Sequence, residues 1–143
     1  MRKRREGFTL VELLIVMAVI AALMGALVPV ALNAIKHANA TRVAENLRAI
    51  STAVQQYIYT NKPASPTDVT LNDVKTNLSG NPDAYKDYTV SVQASGTNSK
   101  TYNIWVWYNG NSPSASDVQK VWNMVTSTHT DYPAVENTIT IYW

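Results

Sequence analysis

A run of 23 residues from Leu13 to Ile35 carries no charge, and a glutamate, Glu12, stands directly in front of it. Built almost wholly of Leu, Ile, Val, Ala and Met, the run is long enough to cross a bilayer core as one helix, for which roughly 20 apolar residues suffice. A carboxylate joined to such a segment is costly. Insertion scales put an acidic side chain inside a membrane helix at about 2.5–3.5 kcal/mol. Ionisable groups in that setting signal function when a partner is at hand. Ahead of the run, Arg2-Lys3-Arg4-Arg5 supplies the basic flank that keeps one end of a span on the cytoplasmic side.

Two ordinary readings account for part of this. A cleaved secretory signal has an apolar region of about 7–15 residues before a small-x-small site. Ala38-Asn39-Ala40 offers such a site, but the run before it is too long and Glu12 is left without a role. A simple signal anchor explains the basic flank and the span, and again leaves Glu12 unexplained.

The string Gly7-Phe8-Thr9-Leu10-Val11-Glu12 after the basic leader resembles the processing site of bacterial type IV pilins and the related secretion pseudopilins. The resemblance covers about residues 1–60. It implies that a prepilin peptidase in the membrane cuts after Gly7 and methylates the new amino terminus at Phe8. It also implies that Glu12 pairs with the Phe8 amine of a neighbouring subunit. A charge pair formed only on docking rewards correct register, because an unpaired carboxylate in an apolar setting is expensive. Pilins often carry a proline near the position of Pro29, where the helix unwinds within the fibre. Many close the last part of the head with a disulfide, whereas this chain has no cysteine. Its head must be held by strand pairing, packing or an ion, and thiol chemistry is excluded.

The formal charge of +2 belongs to the uncut chain. Cutting after Gly7 removes four of the 12 basic and one of the 10 acidic side chains, leaving eight against nine, or −1. The basic balance is thus a property of the leader, and no cationic stripe remains as an intrinsic nucleic-acid site.

Beyond the run, Val43, Leu47, Ile50, Val54 and Tyr57 recur at helical spacing and mark one apolar stripe. On the opposite face Glu45 lies three residues from Arg42 and Arg48, which predicts weak ion-pair support. Within the span, Pro29 lacks the N–H that would bond the Gly25 carbonyl, so Gly25 and Pro29 mark a candidate helix break.

Asn61-Lys62-Pro63 through Asp68 is turn chemistry and ends the helix near residue 60. Thr70-Leu71-Asn72-Asp73 predicts a capped short helix to about Leu78, broken by Gly80-Asn81-Pro82-Asp83. Strands are expected at Tyr88–Ala94, Thr101–Tyr108 and Asn137–Trp143, the first two as a hairpin. A second short helix capped by Ser116-Asp117 carries Val118, Val121, Trp122 and Val125. Strand 101–108 has apolar residues on both sides, Tyr102, Ile104, Val106 and Tyr108 against Trp105 and Trp107, which predicts burial on two faces.

The expected architecture is α+β and pilin-like: a long N-terminal helical spine packed against a small antiparallel sheet head. Its parts are a basic leader over 1–7, a membrane or filament-core helix over 8–35, an amphipathic half over 36–60 and a head over 61–143. His37 and His129 are far apart and join no carboxylate constellation, and no phosphate loop or nucleophile elbow appears, so no catalytic residues are assigned. Asp83, Asp87, Asp117, Asp131 and Glu136 are potential calcium ligands without a fixed loop spacing, so no metal site and no cofactor are assigned. Asn39-Ala40-Thr41 and Asn77-Leu78-Ser79 match the weak glycosylation sequon.

By resemblance, the chain is a structural subunit of a type IV pilus. It is expected in the inner membrane as a single-pass precursor and at the cell surface when assembled. Its partners are copies of itself in a helical homopolymer, the prepilin peptidase, the inner-membrane assembly machinery and the membrane before assembly. Such fibres serve adhesion, twitching motility, DNA uptake and secretion. Two alternatives stay open: a secretion or competence pseudopilin, and a membrane-anchored binding module that keeps Arg2–Gly7.

Overall fold

The computed structural model describes residues 8–96, 100–127 and 131–143. The chain divides into two units, Met1–Ile35 and Lys36–Trp143. Helix α1 (Leu10–Asn61) begins in the first and ends in the second. Its early residues are long and apolar enough to cross a membrane, and they bury nothing within the protein. From Ala40 onward the same helix becomes a packed element. Ala40, Val43, Ala44, Leu47, Ile50, Ala53, Val54 and Ile58 are all buried: four of the five residues of the predicted stripe, widened by three alanines and Ile58, while Tyr57 is half-buried.

The helix stops where Lys62 turns to a left-handed φ of 46° and donates its N–H to the Ile58 carbonyl at 3.0 Å. Glycine usually fills that role, and the following Pro63 makes further helix unfavourable. A short 3-10 turn at Pro66–Asp68 leads to α2 (Leu71–Val74). Thr70 and Asp73 form the expected capping box there, with the Thr70 N–H donating to Asp73 Oδ2 at 2.8 Å and its hydroxyl at 2.7 Å. These bonds hold the Asp73 carboxyl below the usual carboxylate range. The helix expected to reach Leu78 tightens after Val74 into 3-10 geometry over Lys75–Asn77, and another 3-10 turn follows at Pro82–Tyr85.

The sheet is three-stranded and antiparallel in the order β1 (Tyr88–Ala94), β2 (Thr101–Tyr108), β3 (Ala134–Thr140). The architecture is α+β, a long N-terminal helix followed by a small sheet. The β1–β2 hairpin has the predicted bounds, with Val90 opposite Val106 and Val92 opposite Ile104. Strand β3 starts three residues before the expected Asn137 and ends before Trp143. Val135 and Ile139 share the inner face with Val106 and Tyr102, which the register Val106↔Val135 and Tyr102↔Ile139 requires.

Between them on that face lies Asn137, whose side-chain amide donates to the Ser51 hydroxyl of α1. Ser51 is the buried polar residue of this core, so the pair satisfies two groups that would be costly alone.

The outer face of β2 departs from the expectation of two-sided burial. Ile104 and Val106 are fully buried, whereas Trp105 and Trp107 are half-buried on the other side. Helix α3 (Ala115–Val121) is capped by Ser114, not by Ser116 as expected. The Ser114 hydroxyl accepts from the Asp117 N–H at 3.3 Å and donates to Asp117 Oδ2 at 2.7 Å. Glu45 makes no ion pair with Arg42 or Arg48, and the ion pair found among the described residues is Lys120–Asp117 at 3.5 Å. Arg48 instead lies over the Trp122 ring, 4.7 Å from its centre, because a guanidinium gains more on an aromatic face than beside an exposed carboxylate.

With no cysteine available, the last residues are fastened non-covalently. The Trp143 ring meets Tyr59 edge-on at 5.9 Å, and Lys62 Nζ lies 5.4 Å from the centre of the same ring. Lys100 Nζ donates to the Trp143 carbonyl at 3.2 Å, and the Tyr59 hydroxyl donates to the Thr140 carbonyl at 3.2 Å. Aromatic pairs and cation–π contacts of this kind each contribute about 0.5–1.5 kcal/mol. Trp143→Ala is therefore expected to lower stability by about 1–2 kcal/mol in urea unfolding of the processed chain.

Tyr88 provides a second check. Its ring packs at 5.0 Å from that of Tyr108, and burial pushes its phenol up to about 12 despite a 3.1 Å bond donated by the Asn46 amide. An unfolded tyrosine ionises near pH ~10. The contribution of the neutral phenol is complete below that pH and is lost as pH rises through about 12. Absorbance titration should show a late-ionising tyrosine component, and Tyr88→Phe should remove it along with its share of the alkaline loss of stability.

Candidate functional site

The sequence-predicted site lies at the start of α1. Gly7 and the basic leader lie outside the described residues, as does His129. Phe8 is 77 % exposed, and the apolar side chains that follow it present an unbroken exposed surface to Ile35. Such a surface is stable only in lipid or against other apolar helices.

Glu12 does not stand alone within the chain. Its Oε2 accepts the Thr9 backbone N–H at 2.8 Å and the Thr9 hydroxyl at 2.9 Å, while its own N–H donates to Thr9 Oγ1 at 3.3 Å. This is a reciprocal capping box, Thr-x-x-Glu, and it satisfies donors that every helix leaves open at its first turn. Sequence reasoning treated Glu12 as unexplained without a second subunit and overlooked this pattern. The signal was present in the spacing of Thr9 and Glu12, the same spacing that identified Thr70 and Asp73. The carboxylate thus has a partner in the single chain, and any intermolecular pairing adds to the cap.

Gly25 and Pro29 are not a break in this structure. α1 continues through both. A Cβ placed on Gly25 would meet nothing within 4 Å, so no close packing demands a glycine there. The missing Pro29 N–H leaves the Gly25 carbonyl without its usual helical donor, and this weak point is carried by the turns on either side.

Elsewhere, Arg42, Asn46, Asp83, Asp87, Tyr88 and Tyr108 line a cavity of about 180 Å³. Its charges are of both signs and no nucleophile faces a base in it. Of the calcium candidates Asp83 and Asp87 line this cavity together, but among the described residues no group of three or more His, Asp or Glu is placed to hold an ion. His37 is exposed on α1, where its carbonyl accepts the Thr41 hydroxyl at 3.0 Å.

Residues 2–28 match the family model of the prokaryotic N-terminal methylation motif. They are a prepilin signal. The motif is the signal that precursors of type IV pilins and pseudopilins carry, and it implies processing by a prepilin peptidase and contact with assembly machinery. Together with the apolar start of α1 it is compatible with a membrane-anchored precursor. No curated protein and no solved structure matches the chain.

Processing at this signal is directly measurable. Intact mass and N-terminal sequencing of the protein from its native membrane should show loss of residues 1–7 and a methylated Phe8. A chain that keeps Met1 and its basic leader would rule out processing.

Proposed function

We propose that the mature chain is a structural, non-enzymatic subunit of an extracellular type IV pilus filament. Cleavage follows Gly7, Phe8 carries the methylated amine, and α1 polymerises as the apolar core of the fibre. Copies stacked head to tail without closure give an open helical filament. The prepilin signal carries this reading, joined to a carboxylate held within an exposed apolar helix. ATP hydrolysis and proteolysis belong to partner proteins in the inner membrane.

In the filament, Glu12 pairs with the Phe8 amine of the neighbouring subunit. The pair forms only in one register, since a carboxylate without a cation in an apolar core is strongly unfavourable. Pro29 and Gly25 then act on assembly, as the stretch of α1 that gives way first once neighbouring helices compete for its backbone. Residues 40–58 stay helical because their buried stripe is locked into the head core.

A pseudopilin of a secretion or competence system is the second reading, because both kinds of subunit share the signal. Abundance in sheared surface fibres separates the pilus subunit from a pseudopilin that stays in the envelope.

Glu12→Ala should leave membrane insertion intact or improved, with normal head folding, and should reduce fibres on the cell surface at least tenfold at equal levels of processed protein. Wild-type amounts of fibre from that variant would exclude the pairing.

A further inference from the structure

We infer that Thr9 is the positioning residue for Glu12, holding one carboxylate oxygen and presenting the other to the neighbouring subunit. This rests on the reading of Glu12 as the partner of a neighbour's amine. Both donors from Thr9 converge on Oε2, at 2.8 and 2.9 Å. Among the described residues no donor reaches Oε1. The Thr9 hydroxyl is used in both senses, giving its proton to Oε2 and taking the Glu12 N–H at 3.3 Å. Its rotamer and that of the carboxylate are therefore fixed together.

The arrangement addresses a difficulty of the pairing. A bare carboxylate on a lipid-facing helix would turn toward the nearest polar interface, because long polar side chains leave hydrocarbon where they can. Once tethered through Oε2, it stays in place along the helix start. The arriving amine then adds to Oε1 without breaking the cap, so docking forms a new bond with no loss of the old ones. On the proposed cleavage after Gly7 that amine belongs to residue 8, inside the methylation motif over residues 2–28, so each copy carries both halves of the pair.

The test compares Thr9→Val, which keeps the shape and loses the hydroxyl, with Thr9→Ser, which keeps the hydroxyl. Fibres are counted per processed subunit in the membrane, with processing read by intact mass. Thr9→Val should assemble about tenfold less, and Thr9→Ser should stay within about twofold of wild type, as expected for losing hydrogen bonds to a charged group. Equal assembly of Thr9→Val and wild type overturns the inference, and so does equal impairment of both variants.

If Glu12→Ala fails to assemble while Thr9→Val assembles normally, the pairing stands and only the role of Thr9 falls. If Glu12→Ala assembles normally, the pairing itself falls. A readout independent of assembly uses full-length chain in bilayers, labelled with carbon-13 glutamate and carrying Glu6→Gln, Glu45→Gln and Glu136→Gln. The remaining Glu12 carboxylate infrared band should shift with Thr9→Val and not with Thr9→Ser. An unchanged band in Thr9→Val overturns the inference even where that variant is poorly processed.

Discussion

One helical backbone in this chain serves two environments, and that constraint governs everything built on it. Up to Ile35 the side chains of α1 are exposed, and from Ala40 onward the same helix supplies one wall of a core. The change is made by side chains alone. Leu and Ile on all sides suit a medium without water, whereas a single stripe through Leu47, Ile50 and Val54 suits a helix with one dry face. The head depends on that stripe. A head of about 80 residues has little apolar surface of its own to bury, and removing a large side chain from such a core costs about 2–5 kcal/mol.

The head then solves a second problem, the fastening of its last strand without a disulfide. Strand β3 is fixed at its middle by Asn137 reaching Ser51 and beyond its end by Trp143 on Tyr59 and Lys62. Both anchors are on α1 or directly after it. The polar pair specifies register, because a slip of one residue would turn Asn137 outward and leave the Ser51 hydroxyl without this partner. The aromatic contact adds area where a cysteine bridge would have removed chain entropy. The two devices act on different states: the bridge restricts the unfolded chain, and the clasp stabilises the folded one.

Much of this was legible beforehand, for identifiable reasons. Strands β1 and β2 follow from strict alternation between turn residues, and the Thr70 cap follows from side-chain chemistry three residues apart. What failed to show involved competition between local alternatives. Ser114 and Ser116 both precede α3, and only the structure shows which one meets the Asp117 N–H. The start of β3 at Ala134 was hidden by Pro133, which breaks the alternation even though its carbonyl receives the Tyr108 N–H at 3.0 Å. Arg48 had a carboxylate three residues away in sequence and an indole seventy-four residues away, and the indole took it. At the site, the prepilin motif drew attention to Glu12 through a second subunit, which obscured the capping box that the same residues make within one chain.

The continuity of α1 through Pro29 also follows from where its hydrogen bonds can go. In hydrocarbon an open backbone group has no water to turn to, so a helix keeps every bond it can and tolerates one missing donor in place of losing several. Nothing packs on Gly25 or Pro29 to reinforce that choice. On the reading of this segment as a membrane span, helicity there is favoured by the medium, while at Leu47 and Ile50 the helix is held by the core. On the filament reading the two halves therefore respond differently when the subunit leaves lipid. The packed half has the same neighbours before and after. The half around Pro29 exchanges lipid for other helices, whose side chains and backbones can take up bonds that the proline leaves open. The weakest turn of α1 thus lies in the segment whose surroundings change on assembly.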